Sequence, residues 1–228
     1  MINWQIFKKT LAEMIYPSSS LKCPVKESER EKYYNNKYPK EEIVYSGRFV
    51  PNTKDNISID VRNFFDEYDV GVQKVVKGLS LGRLSDDEKA LRCLNWVKSK
   101  IKYVKDREKA KREYWQFAFE SLHYKTGDCE DGAILLANLL LSSGISYWKI
   151  RISAGKVKGG SHAYVTYYCE SKKRWVVLDW CYWFNGKAIK DRLDYSDEKN
   201  YYGVWFSWNR KYSFSKGLNS DAKHLLKK

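Results

Sequence analysis

The fold of this chain is decided by a short acidic stretch and the apolar run behind it: Gly127-Asp128-Cys129-Glu130-Asp131-Gly132, followed by residues 133–141 (AILLANLLL). Gly127 permits a sharp turn and Asp128 is a good N-cap, so a helix is predicted to begin at Cys129. The run is apolar on nearly all sides, which predicts a central, buried helix. Ser143-Gly144 is a suitable C-terminal stop for it.

Cys129 is the candidate nucleophile. In the first turn of a helix, unpaired backbone N–H groups and the helix dipole favour a thiolate over a thiol. The N–H of Cys129 is also placed to donate to the oxyanion of an acyl intermediate. Asp128, Glu130 and Asp131 oppose the thiolate by their charge, unless they point away or are neutralised. A neighbouring protonated histidine would restore the balance.

The segment after the helix is predicted to form strands. Residues 147–153, 162–168 and 174–180 are rich in Val, Ile, Tyr and Trp, with a flexible loop expected over residues 156–161. A later aromatic run, residues 201–206, is a further strand candidate.

His162 and Asp179 are predicted to be neighbours in this sheet. A two-residue turn at Glu170-Ser171 sets His162 opposite Asp179, and a three-residue turn shifts the match by one position and keeps them close. Asp179 would then orient one nitrogen of His162 while the other faces the Cys129 thiol. That arrangement is the nucleophile, base and orienting group of acyl-transfer enzymes.

Upstream, a capping box at Ser85 and Glu88 predicts the start of an amphipathic helix. The apolar stripe behind it runs from Ala90 to Val104, and Cys93 beside the stripe is expected to be a packing residue. A short helix is also predicted over residues 4–15, and residues 22–56 are expected to be irregular.

These signals divide the chain into three parts. Residues 1–84 are expected to be an N-terminal extension packing on the core, residues 85–210 the catalytic domain, and residues 211–228 a polar C-terminal tail.

Composition narrows the function classes. The chain has 228 residues, 43% of them hydrophobic, and a net charge of +14, so a globular protein with a surface that attracts acidic partners is expected. The basic residues are scattered and no nucleic-acid-binding motif is found, so nucleic acid is not an expected partner. A protein or peptide substrate, acidic if the charge selects it, fits better.

The five cysteines are odd in number and form no C-x-x-C pair, so neither a disulfide framework nor a zinc site is expected. With no secretion signal and no apolar run long enough to span a membrane, a cytoplasmic or virion-associated protein is expected.

The motifs resemble those of the transglutaminase-like superfamily, especially the bacterial transglutaminase-like cysteine proteinases and related phage proteins. Residues 127–131 and the apolar helix behind them resemble the family's nucleophile motif, and residues 161–165 and 177–179 resemble its His and Asp strands. Residues 115–120 match the Trp-x-Thr-Pro-x-Glu element in Trp and Glu but lack Thr-Pro. The resemblance covers roughly residues 86–185.

This resemblance implies an α+β fold with a papain-like, transglutaminase-like core, in which the Cys-bearing helix packs on an antiparallel sheet. It implies that Cys129, His162 and Asp179 are catalytic, that a thioester forms, and that Trp115 or Gln116 completes the oxyanion hole. Some relatives bind calcium through acids beside the nucleophile. Asp128, Glu130 and Asp131 are the matching candidates here, although capping and solvent exposure explain them as well. No other metal and no cofactor is expected.

Three functions remain open at this point. The leading one is a cysteine-nucleophile amide hydrolase of the peptidase or isopeptidase type. The second is a protein-glutamine acyltransferase, in which an amine replaces water. The third is a phage or cellular structural protein that keeps the fold without turnover.

Overall fold

The computed structural model describes residues 28–49, 55–106, 113–183 and 185–215, and these combine helices with antiparallel sheet. The helices are α1 Glu29–Asn36, α2 Val70–Gly78, α3 Asp86–Lys100, α4 Ala118–Tyr124 and α5 Cys129–Ser142. The strands are β1 Val44–Phe49, β2 Asn56–Asp60, β3 Lys102–Tyr103, β4 Thr126–Gly127, β5 Ile150–Val157, β6 Gly160–Cys169, β7 Arg174–Leu178, β8 Tyr201–Trp208 and β9 Ser213–Phe214.

The main sheet has five strands in the order β7-β6-β5-β8-β9, all antiparallel. Alternate residues point to opposite faces of a strand. On one face Ile152 and Val165 join the core that α5 fills, and on the other Tyr164 and Trp175 join a second, aromatic cluster. Helix α5 packs against β5 and β6. The predicted fold class, a Cys-bearing helix on an antiparallel sheet, is confirmed.

Helix α5 begins and ends where the sequence predicts. Cys129 is its first residue, and the Oδ2 of Asp131 accepts a hydrogen bond from the N–H of Asp128 at 3.1 Å, which holds the first turn. Gly144 follows the C-cap with φ +90°, a conformation that favours glycine. Nearly every side chain between these ends is buried, so the prediction of a central helix is confirmed.

Helix α3 also follows its sequence signals. Ser85 and Glu88 form the predicted capping box, and the apolar stripe of the helix is buried. Cys93 is fully buried within it, as a packing residue would be. The helix ends at Lys100, so the last predicted member of the stripe, Val104, lies outside it.

The core extends upstream of Ser85. Val61, Phe64, Val72 and Leu81 are buried in the same hydrophobic cluster as α3 and α5. The described part of residues 1–84 therefore contributes to the core, and the division of the chain at residues 84 and 210 stays a prediction. Strand β9 lies inside the predicted polar tail, and that prediction is wrong for β9, because Phe214 is fully buried. The helix predicted over residues 4–15 lies outside the described residues.

Two local predictions are wrong. The segment predicted to be irregular contains α1, capped by Ser28, and strand β1. The loop predicted over residues 156–161 is instead a tight hairpin, since β5 continues to Val157 and β6 starts at Gly160. Gly159, with φ +100°, supplies the positive φ that such a two-residue turn requires.

The register of the β6–β7 hairpin is shifted from the predicted one. Val165 pairs with Leu178, so the connection has four residues, 170–173, instead of two or three. The carboxylate of Asp87, on α3, accepts hydrogen bonds from the N–H groups of Glu170 and Ser171 and so stabilises the longer loop. The shift from the two-residue-turn register is even, which keeps each side chain on its expected face.

Candidate active site

His162 and Asp179 lie side by side at the end of the β6–β7 hairpin. Nε2 of His162 is 2.7 Å from Oδ2 of Asp179, and the two residues are 8% and 2% exposed. Because of the register shift they meet diagonally across the strands. Their predicted proximity is therefore confirmed, although the predicted pairing of directly opposite positions is wrong.

The Asp179 carboxylate is held by four donors. Oδ1 accepts from the N–H groups of Cys181 and Tyr182, each at 3.1 Å, and Oδ2 accepts from the Tyr201 hydroxyl at 2.8 Å as well as from His162. Burial works to raise the pKa of Asp179, but the hydrogen bonds and the charge of His162 outweigh it and hold that pKa below its usual value. An ionised Asp179 fixes the proton of a neutral imidazole on Nε2, which leaves Nδ1 as the basic nitrogen.

Cys129 lies next to this pair along the backbone of β6. The N–H of Ala163, the residue after His162, donates toward its sulfur, and the Nε1–H of Trp180 donates to its carbonyl oxygen at 3.1 Å. The thiol donates to Oε2 of Glu130 at 3.1 Å. Within the described part of the chain no hydrogen bond joins this sulfur to His162. The sulfur of Cys129 thus lies next to the backbone of Ala163, the neighbour of His162 in the chain, and its thiol is hydrogen-bonded to the carboxyl group of Glu130.

The charge around Cys129 opposes its ionisation, as the sequence predicts. Burial is the largest cause that raises the pKa of Cys129, and the charge of Glu130 is the next. The pKa of Glu130 is itself raised well above its usual value, first by burial and then by the charge of Asp128. The thiol is therefore protonated in this arrangement, and a decrease of the negative charge on Glu130 and Asp128 favours its ionisation.

The acids beside Cys129 form a compact cluster. Two groups of three carboxylates share Asp106, and within each group one oxygen of every member lies within 4.8 Å of the others. The groups are Asp106, Asp128 and Asp131, and Asp106, Glu113 and Glu130. The carboxylate of Asp131 is engaged with the N–H groups of Gln116 and Asp128. Oδ1 of Asp128 and Oε1 of Glu130 are buried and have no hydrogen-bond partner in the described part of the chain. Clustered carboxylate oxygens are the ligands that Ca²⁺ prefers, so the donor set fits this ion.

The two oxyanion-hole candidates differ in their surroundings. Gln116 is buried, its side-chain Oε1 accepts from Ser121 at 3.2 Å, and its Nε2 donates no hydrogen bond within the described residues. Trp115 stacks on Tyr45, with ring centroids 4.6 Å apart, and its indole N–H donates to Glu113. Gln116 stays a prediction, whereas the geometry of Trp115 is that of a packing residue.

Two residues of the site were missed by the sequence reasoning. Trp180 directly follows Asp179, and Tyr201 lies in the aromatic run that forms β8. Neither belongs to a motif. The polar atom of a buried Tyr or Trp usually makes a hydrogen bond. This general rule is the one signal in the sequence that pointed to Trp180 and Tyr201.

The family comparison agrees with this fold. Residues 73–180 match the model of the transglutaminase-like superfamily, and Cys129, His162 and Asp179 all fall inside the match. This part of the chain therefore has a transglutaminase-like fold with a papain-like core.

Individual relatives extend the comparison. The UPF0252 protein PH1321 of Pyrococcus horikoshii is 34% identical over 94 residues, which are 41% of this chain and 27% of that protein. The match thus spans about a quarter of that relative's length. Among solved structures, LapG of Legionella pneumophila is similar in its EGTA-treated form, with 18% identity, a TM-score of 0.50, and coverage of 64% of this chain and 75% of LapG. Its calcium-bound form matches with the same identity and TM-score, over 68% and 84% of the two chains. These structural likenesses show the fold.

None of the helices in the described residues combines the length and the apolar character that crossing a bilayer requires.

Proposed function

We propose that this chain is a cysteine-nucleophile amide hydrolase that acts on protein or peptide substrates through a thioester. One observation carries the proposal. The buried His162–Asp179 pair lies on the strand whose next residue, Ala163, contacts the sulfur of Cys129 at a helix start. The transglutaminase-like fold of residues 73–180 supports it.

In the acylation step, Nδ1 of His162 takes the thiol proton as Sγ of Cys129 forms a bond to the amide carbonyl carbon. The electron pair of the C=O bond moves to oxygen. When the tetrahedral intermediate collapses, the C–N bond breaks and the imidazolium gives its proton to the leaving amine. Asp179 keeps the ring oriented and stabilises the imidazolium throughout.

Hydrolysis of the thioester repeats the sequence with water. His162 takes a proton from water, the oxygen attacks the thioester carbon, the C–S bond breaks, and the carboxylic product and the free thiol are released. The backbone N–H of Cys129 and the Nε2–H₂ of Gln116 are the proposed donors to the oxyanion. Trp115 is left out because its indole N–H already donates to Glu113.

The proposal includes a cation that neutralises the acids next to the nucleophile. The oxygens of Asp128 and Glu130 that have no hydrogen-bond partner among the described residues support it, as does the calcium-bound form of Legionella LapG. Asp128 and Glu130 would hold Ca²⁺, and Asp106 lies in one cluster of carboxylates with Asp128 and in another with Glu130. The chemistry that the ion supplies is positive charge, which offsets the effect of Glu130 on the pKa of Cys129.

Acyl transfer to an amine is the alternative within the same chemistry. The acylation step is shared, and the two reactions differ in whether water or a primary amine resolves the thioester. Adding a primary amine to a reacting mixture distinguishes them, because a transferase yields a covalent amine adduct and a hydrolase yields the free acid. A structural protein without turnover yields neither.

The first test compares cysteines within one native protein. With calcium present and iodoacetamide at about pH 6, where ordinary thiols are almost entirely protonated, Cys129 is expected to be alkylated first. Cys181 is the comparison thiol, because it is half-buried like Cys129 and its pKa is also raised, first by burial and then by the charge of Asp179. Its sulfur lies within 4.8 Å of ring and carboxylate atoms of His162 and Asp179, so the comparison tests which of the two thiols is the activated one. Peptide mass spectrometry measures both rates in one sample.

We expect Cys129 to react at least about tenfold faster than Cys181, the factor that corresponds to one pKa unit. Buried Cys93 gives the background rate. Equal rates at Cys129 and Cys181, with calcium present, would contradict an activated nucleophile and favour the structural-protein alternative.

A further inference from the structure

Tyr201 contacts the same oxygen atom that holds the histidine. Its hydroxyl is 2.8 Å from Oδ2 of Asp179, and Nε2 of His162 is 2.7 Å from that atom. Tyr201 is 1% exposed and opens β8, where it pairs with Val157 of β5. The carboxylate is thus held between a residue of β6 and a residue of β8, on opposite sides of β5 in the sheet.

The direction of this hydrogen bond is fixed by the charges. Burial first, and the charge of Asp179 next, raise the pKa of Tyr201, so its phenol is neutral and carries its proton. Asp179 is ionised, since its pKa lies below the usual value. The Tyr201 O–H therefore donates and the carboxylate accepts, which makes the contact a charge-assisted hydrogen bond.

We propose that Tyr201 is a positioning residue of the active site, which fixes Oδ2 of Asp179 and takes part of its charge. A carboxylate oxygen shared between two donors accepts less strongly from each of them. His162 is then held in orientation without being locked as an imidazolium, so it can pass its proton to the leaving amine. The catalytic meaning of this role rests on the proposed function, whereas the positioning itself does not.

Other groups also act on the His162–Asp179 pair, and they come from several elements. On the site's own side are Tyr164 of β6 and Tyr182 and Cys181 after β7. Positive charges reach Asp179 from Lys98 of α3 and from Arg192. A substitution that removes only the Tyr201 hydroxyl leaves all of these in place, so a change in the pair reports that hydroxyl.

The test is the variant Tyr201→Phe, read by NMR of the intact chain. The Nε2–H proton of His162 is observed at neutral pH and assigned by its loss in His162→Ala. The chain has three histidines, so the assignment is tractable. Without the tyrosine donor, Asp179 accepts more strongly from His162, and the resonance is expected to move downfield.

Tyr164→Phe is the matched control. Tyr164 is also fully buried, its ring packs against both His162 and Tyr201, and its hydroxyl bonds to Tyr195 instead of Asp179. This variant loses a buried hydroxyl from the same cluster, and the His162 resonance is expected to stay in place. A second variant protects the test against misfolding of Tyr201→Phe. Site-specific 3-fluorotyrosine at position 201 keeps the shape and makes the phenol a stronger donor, so the resonance is expected to move upfield.

Opposite shifts in the two Tyr201 variants, with none in Tyr164→Phe, support the proposal. An unmoved resonance in the fluorotyrosine protein, or equal shifts in Tyr201→Phe and Tyr164→Phe, would overturn it. The proposed function is judged separately, by the alkylation of Cys129. If Cys129 is alkylated selectively but the His162 resonance does not move, only the role of Tyr201 is wrong. If the resonance moves as expected but Cys129 is not alkylated selectively, only the assignment of the nucleophile is wrong.

Discussion

Glu130 and Asp128 set the charge that the Cys129 thiol meets. The thiol donates to Oε2 of Glu130, while Oε1 of Glu130 and Oδ1 of Asp128 are buried with no hydrogen-bond partner among residues that the structure describes. One proton or one cation shared between these two carboxyl groups would give both oxygens a partner. The sequence predicts that these acids oppose ionisation of the thiol unless they point away or are neutralised, because they are adjacent to Cys129 in the chain. It cannot predict which acid faces the sulfur, since the packing of α5 against other elements decides that.

The variant Glu130→Gln tests this at the scale of one residue. Burial and the charge of Glu130 both raise the pKa of Cys129, so removing the charge lowers that pKa and increases the thiolate fraction at any pH below it. Without calcium, alkylation of Cys129 is expected to be about three- to tenfold faster than in the unchanged protein. Time-resolved peptide mass spectrometry gives the rate.

Glu113→Gln is the control, because Glu113 belongs to the same cluster but is exposed and does not contact the thiol. We expect a change of less than about twofold there. Calcium should accelerate alkylation in the unchanged protein and have little effect in Glu130→Gln. A slower reaction in Glu130→Gln would mean that the carboxyl assists the thiol, which is the opposite of this account.

At the scale of elements, α5 positions the site because it is tied to its neighbours by polar as well as apolar contacts. Asn138, fully buried at its centre, accepts from the N–H of Asp66 at 2.6 Å and donates to the carbonyl of Phe64 at 2.8 Å. These two bonds fix the segment before α2 to the helix. They satisfy backbone groups that would otherwise lie buried without partners.

Asn138→Ala is therefore expected to lower the free energy of unfolding by about 2–3 kcal/mol, since it leaves two backbone groups unsatisfied. Urea denaturation measures the change. Ser142→Ala on the same helix is the matched control, because its buried hydroxyl has no hydrogen-bond partner in the described residues. That variant is expected to change stability by less than about 0.5 kcal/mol. Equal losses in both variants would contradict the role given to Asn138.

Local signals in the sequence predicted α3 and α5, whereas α1, α2 and α4 were not predicted and the sheet register was predicted poorly. The caps of α3 and α5 depend on residues three positions apart, so they can be read directly. The β6–β7 register depends on Asp87, which is more than 80 positions from the loop that it holds. His162 and Asp179 were still placed together, because an even register shift preserves the face. Tyr201 was missed since its contact with Asp179 depends on the order of strands in the sheet.

At the scale of the whole molecule, the core consists of two clusters on the two faces of the main sheet, one that includes Val61 and a second, aromatic one that includes Phe214. The sequence predicted an irregular segment over residues 22–56, because it is polar and Tyr-rich and is interrupted by Pro24, Pro39 and Pro51. In the described residues this segment contains α1 and β1. Both are so polar that they show no periodic pattern of hydrophobic residues. Tertiary contacts stabilise them: Tyr34 of α1 stacks on Trp148, and Tyr45 of β1 stacks on Trp115.

The central claim is that His162 acts on the thiol of Cys129, and the pH dependence of Cys129 alkylation tests it most directly. A protonated His162 favours the thiolate, so the rate should rise at lower pH in the unchanged protein than in His162→Ala. At about pH 6 the variant is expected to react about tenfold more slowly, whereas His123→Ala, at an exposed position of α4, should not differ. If His162→Ala and the unchanged protein give the same pH profile, His162 is not the base, and the proposed active site is wrong.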